Sequence, residues 1–140
     1  MKKVLLGFSL LMITQLAIAQ FTFYSTSNDL VKKGGTESLE HEVKMQVYNI
    51  STKDMLLIHN VFDAETEELA DSQVYQITEV KQESDDQMVF FAKSGVSGKT
   101  YEYRLMMKEG EAPSLLLVLA GEDYDLRYNG AVTALKTFKQ

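Results

Sequence analysis

Apolar and polar side chains alternate with a period of two through much of this chain from Phe21 onward, and that period is the signature of strands. Phe21-Thr22-Phe23 and His41-Glu42-Val43-Lys44-Met45-Gln46-Val47 each offer one face to a core and one to water. In the second, Val43, Met45 and Val47 form the face expected to pack. Tyr101, Tyr103, Leu105 and Met107 line one side of a third segment, opposite Thr100, Glu102 and Arg104. Tyr124, Leu126 and Tyr128 oppose Asp125 and Arg127 in a fourth. A chain built this way buries one face of a sheet and must close that sheet against something.

Three further runs are apolar on both faces: Met55-Leu56-Leu57-Ile58, Met88-Val89-Phe90-Phe91-Ala92, and Leu115-Leu116-Leu117-Val118-Leu119. Their shortness and turn-rich flanks suit central strands whose outer face is covered by a second sheet, a helix or a bound apolar molecule. Turn-forming residues at Ser94–Gly98, Glu109–Pro113 and Ala120–Asp123 separate the runs as hairpins, so Gln87 to Gly130 reads as a meander. Two segments depart from the pattern. Asp63 precedes a run of acids up to Asp71, which suits the start of a short helical turn, and Ser27 to Lys33, ended by Gly34-Gly35, suits another. The expected fold is a single all-β antiparallel domain of about eight strands, a barrel or a sandwich, with one or two short helical turns. The alternative is an α+β sheet with a helix packed on one face.

The first 19 residues read differently. Met1-Lys2-Lys3, an apolar stretch from Val4 to Leu16, and Ala17-Ile18-Ala19 together make a secretory signal peptide with cleavage before Gln20. The apolar run is too short for a membrane-spanning helix, and no later stretch could supply one. Residues 20–140 then form the exported domain, periplasmic or extracellular, carrying 12 basic and 20 acidic side chains for a net charge of −8. An acidic chain with only two arginines is a poor match for a phosphate backbone, so nucleic acid is excluded as a partner. The chain has no cysteine, which removes disulfides, thiolate metal sites, a cysteine nucleophile and a lipid-anchoring cysteine.

Motifs that carry chemistry are sparse. Neither His41 nor His59 sits in a metal-ligand or zincin spacing, and His59, inside an apolar run, reads as a hydrogen-bonded core or rim residue. Carboxylates gather at Asp63–Asp71, Glu83–Asp86 and Glu122–Asp125, but Arg127 falls where a calcium loop would need another oxygen ligand. Gly95-Val96-Ser97-Gly98 falls one residue short of a nucleophile elbow, and no phosphate-binding glycine loop is present. These residues predict no catalytic group, no metal and no cofactor. The rival reading is a small hydrolase acting through Asp123, Asp125 or His59.

The distinctive resource is aromatic. Thirteen Phe and Tyr and five Met follow the leader, with no Trp. On inward strand faces such residues first fill a core, and in a barrel they can also line an apolar chamber. The candidate ligand contacts are Tyr101, Tyr103, Met107, Tyr124 and Tyr128. The leader ending at Ala19, together with Glu79-Val80-Lys81, Val89–Lys93, Arg104-Leu105-Met106-Met107 and Leu115–Leu119 with Gly121-Glu122, resembles small exported Bacteroidetes proteins of unknown function over roughly the last 60 residues. That resemblance implies export and no particular activity. By size and strand count the chain is also similar to lipocalin-like domains, which implies binding of a small apolar ligand. The reading as a whole is a non-enzymatic exported domain that binds such a ligand or an envelope protein.

Overall fold

The computed structural model describes residues 20–134; the leader assigned to residues 1–19 lies outside them. Eight strands follow one another in chain order: β1 (Gln20–Lys32), β2 (Ser38–Ser51), β3 (Leu56–Phe62), β4 (Leu69–Ser84), β5 (Gln87–Ser94), β6 (Thr100–Met106), β7 (Ser114–Val118) and β8 (Tyr124–Ala134). Each pairs antiparallel with the next, and β8 returns to β1, so the sheet closes into an up-and-down barrel. Closure removes the free edges that an open sheet would leave at β1 and β8.

The domain is all-β, and neither expected helical turn forms. Ser27 to Lys32 belongs to β1, paired to β2 on one side and β8 on the other. Local preference yields there to two ladders of backbone hydrogen bonds. Asp63 does cap its neighbours, accepting from the N–H groups of Glu65 at 2.8 Å and Thr66 at 3.0 Å, but they form a hairpin loop. Asp63 N–H donates to Glu68 O at 2.8 Å across the base of that loop, which closes it before a helix can propagate. The α+β alternative falls with the helices.

The barrel is strongly sheared. The first half of β4, Leu69 to Gln76, pairs with β3, whereas the stretch from Tyr75 to Ser84 pairs with β5. Bulges shift the alternation at Ser25/Ser27 in β1 and at Ile77/Glu79 in β4. The β1 bulge folds the strand tightly over β8. A Cβ on Gly130 would stand 1.6 Å from the Tyr24 carbonyl oxygen, so only glycine fits at this crossing.

An eight-stranded barrel is just wide enough for its interior to be filled by side chains. Here Phe21, Phe23, Ile50, Leu57, Ile77, Phe90, Leu105 and Leu115 fill it, together with Tyr48 and Tyr103, and all of them are buried. Phe90 and Tyr103 stack at 5.2 Å between ring centres. The outer face of β5 needs neither a second sheet nor a helix as cover. Register places Lys81 and Arg104 on either side of Val89, and the Lys81 ammonium lies 6.0 Å from the centre of the Phe91 ring. Long charged side chains lay their apolar stems over this face while their heads reach water.

The faces of β2 are the reverse of the sequence expectation. Gln46, Tyr48 and Ile50 point inward, while Val43 and Met45 are 74% and 44% exposed on the outside. Phe23 pairs with Tyr48 and Phe21 with Ile50, and packing against these rings decides which face of β2 goes in.

Candidate functional site

The turns after β1, β3, β5 and β7 share one end of the barrel, and this end is not sealed. The core stops at a layer of tyrosines: Tyr48, Tyr75, Tyr103 and Tyr128. Tyr48 packs edge-on against Tyr103 and Tyr128, at 6.2 and 5.2 Å. The hydroxyl of Tyr48 pairs with that of Tyr128, and that of Tyr103 with that of Tyr75. Burial first, and then the neighbouring hydroxyls, push the phenols of Tyr48 and Tyr103 well above their ordinary value, so they remain neutral.

Polar side chains line the inner wall above this layer. His59 stacks on Tyr48 at 4.2 Å and 4°, its registered partner across the β2–β3 pair. His59 Nε2–H donates to Gln46 Oε1 at 2.7 Å, and Gln46 Nε2 donates to Asn28 Oδ1 at 3.3 Å. On the neighbouring β4, where Gln73 is the registered partner of His59, Tyr75 donates to Gln73 Oε1 at 2.9 Å, and Gln73 Nε2 donates to Asp71 Oδ2 at 3.2 Å. Burial holds the His59 imidazole down to about 4; the Asp71 carboxylate opposes this shift, and the Lys44 ammonium adds to it. His59 is therefore neutral at pH 7.

β1 and β2 run on beyond the point where β3 ends. Pairing of β2 to β3 covers Met45 to Ser51 only, whereas pairing to β1 continues up to Ser38. This upright ribbon forms one wall of an open cleft of about 580 Å³. Asn28 and Leu30 of β1, Glu40, His41, Glu42, Lys44 and Gln46 of β2, and Leu126 and Tyr128 of β8 line it.

A buried hub on the outer surface holds the ribbon in place. Asp29, 5% exposed, receives hydrogen bonds from Ser38 Oγ at 2.8 Å, His41 Nδ1 at 2.7 Å, Asn129 Nδ2 at 2.7 Å and Arg127 Nη2 at 3.1 Å. Burial opposes its ionisation, but these bonds outweigh it and hold the carboxyl well below the usual carboxylate range. One carboxylate thus ties β2, β1 and β8 together behind the cleft. Beside it the Lys33 ammonium pairs with Asp125, whose Oδ1 also accepts from Leu119 N–H at 3.0 Å.

Three of the aromatic residues singled out by their strand pattern meet at the tyrosine layer. Tyr103 lies within it, Tyr128 joins it to the cleft, and Tyr101 packs edge-on against Tyr75 at 6.2 Å. Tyr124 starts β8 opposite Lys32, half-buried and outside the cleft lining. Met107 lies past the end of β6 at the opposite end of the barrel, 49% exposed, with its N–H donating to Asp86 O at 2.7 Å. Tyr48, Gln46 and Asn28 escaped the pattern because the alternation in β2 points to the wrong face and the bulge in β1 interrupts it. The groups of the hydrolase reading are kept apart. Asp125 faces outward and is occupied by Lys33, whereas His59 faces inward on the far side of the wall. Among the described residues no three His, Asp or Glu side chains converge as a metal-holding group.

No protein-family model, no curated protein and no solved structure matches the chain.

Proposed function

We propose that this protein is an exported, non-enzymatic barrel that holds a small molecule at its open mouth. One observation carries the reading: a filled core that stops at a tyrosine layer, with an open cleft of about 580 Å³ above it, walled by both apolar and hydrogen-bonding side chains. Clefts that combine apolar walls with a few convergent polar groups are the usual form of small-ligand sites. Because Phe23, Phe90 and Tyr103 occupy the interior, a ligand sits on the tyrosine layer and not deep within the barrel. Leu30, Leu126 and Tyr128 offer it apolar contact, and Asn28, Gln46 and Lys44 offer it polar partners. Up-and-down eight-stranded barrels are a common frame for this task, which supports the reading as fold-level analogy.

Screening the chain against a mixture of small amphiphiles by NMR tests the proposal. Shifts should cluster at Asn28, Leu30, Gln46, Leu126 and Tyr128; shifts scattered over the surface, or none, overturn it. Export is tested by the mass of the protein recovered outside the cytoplasm, which should correspond to a chain beginning at Gln20.

A second reading, docking to an envelope protein, is favoured by the outer face of β1 to β4. Tyr24, Val43, Met45, Leu56 and Val74 are apolar and exposed there. Crosslinking in cells should then recover a partner from the wild type and lose it in Val43→Lys/Val74→Lys.

A further inference from the structure

We infer that the ligand of this mouth is a small organic cation, an amine or quaternary ammonium with an apolar or aromatic body. The inference rests on the binding reading above and names the chemical class that the mouth selects. Residues 20–140 carry twelve cationic side chains against twenty carboxylates. The turns at the mouth carry Glu37 after β1, Asp63, Glu65, Glu67 and Glu68 after β3, and Glu122 and Asp123 after β7, against Lys33 after β1 and Lys99 after β5.

Within the cleft, the inner face of β2 presents Glu40 and Glu42, and Asp71 faces inward nearby on β4, close enough to act on His59. Three of the cations at this end are engaged, and Lys32 at the end of β1 and Lys99 in the turn after β5 stand on its rim. Lys33 is paired with Asp125, Arg127 is bound to Asp29 on the outer surface, and Lys44 lies 3.8 Å from Glu42. A cleft rimmed by one sign of charge over low-dielectric walls concentrates the opposite sign. A carboxylate ligand would be repelled at the rim and would find Lys44 already facing an acid.

The cleft also provides what an organic cation needs beyond charge. Tyr128 lines its floor, and a cation over a tyrosine ring is attracted by the negative face of the π system. Leu30 and Leu126 flank that ring by register: Asn28 pairs with Tyr128 and Leu30 with Leu126 across β1 and β8. An apolar body can therefore lie along these two leucines while its charged end is held between Tyr128 and the β2 carboxylates.

Three probes of matched size separate the possibilities: benzyltrimethylammonium, phenylacetate and benzyl alcohol, titrated into the full chain while the side-chain amide signals of Asn28 and Gln46 are followed by NMR. The cation should bind tightest of the three and weaken several-fold as salt is raised. The double variant Glu40→Gln/Glu42→Gln alters only the exposed ribbon, so it should fold normally; it should weaken the cation by about tenfold and leave benzyl alcohol unchanged. Phenylacetate binding as tightly as the cation, or a cation affinity untouched by the double variant, overturns the charge assignment and leaves the mouth as a binding site. Silence from all three probes overturns the mouth itself, and the cation with it.

Discussion

The two halves of the barrel interior are built from the same strands and carry opposite chemistry. Along β2 the inward positions run Ile50, Tyr48, Gln46, Lys44, Glu42, Glu40; along β1 they run Phe21, Phe23, Ser25, then Asn28 and Leu30 beyond the bulge. Apolar and aromatic groups fill one end, tyrosine hydroxyls mark the boundary, and amides and carboxylates line the other. A strand that passes from core to mouth needs no change of fold, only a change of side chain. The filled half supplies the stability, and the mouth is thereby free to carry residues that would be costly in a core.

That division predicts a steep gradient in tolerance. Gly130→Ala should do the most damage, because the new Cβ meets the backbone at Tyr24 and Ser25, which no rotamer change can relieve. The expected loss exceeds about 4 kcal/mol, enough to prevent a cooperative denaturant transition. Phe90→Ala removes a fully buried ring stacked on Tyr103 and should cost about 3–5 kcal/mol. Glu42→Ala, on the exposed ribbon, should stay within about 0.5 kcal/mol. Chemical denaturation of the three variants tests the comparison, and a Glu42→Ala loss comparable to that of Phe90→Ala would erase the distinction between the halves.

Much of the filled half was legible in the sequence. Tyr101, Tyr103 and Leu105 stand on the face that alternation assigns to them, as do Leu126 and Tyr128 where β8 enters the mouth, and the meander from Gln87 to Gly130 forms as the turns indicate. The mouth was much less legible, for three physical reasons. The bulge at Ser25/Ser27 shifts the period by one residue, so a strict count of two loses Asn28. In β2 the apolar Val43, Met45 and Val47 outnumber Tyr48 and Ile50, but Tyr48 and Ile50 face Phe23 and Phe21 across the β1 pair, so the strand faces the other way. The partners of Asp29 include Arg127, 98 residues away, a separation at which no local pattern operates.

The boundary between the halves can be tested with pH. His59 sits on it, stacked on the tyrosine layer and bonded to the first amide of the mouth. In the folded chain its imidazole titrates at about 4, against an ordinary value of 6.5. Between those two values the unfolded chain holds a proton that the folded chain does not, so stability falls as pH drops from about 6.5 to about 4 and then levels off. Asp29 behaves as a depressed acid. Its contribution is complete above the ordinary carboxyl value of 3.8 and is lost only as pH falls below it. The two groups therefore act in separate windows. Subtracting the denaturation profile of His59→Gln from that of the wild type cancels the other carboxylates and isolates the upper window, where the difference should reach about 1–3 kcal/mol. Asp29→Asn should leave that window intact, lower stability at neutral pH by loosening the hub behind the ribbon, and flatten the decline below 3.8. A His59→Gln profile parallel to the wild type from pH 7 to 4 would mean that the imidazole is already open to water, and that the tyrosine layer does not mark where the filled half ends.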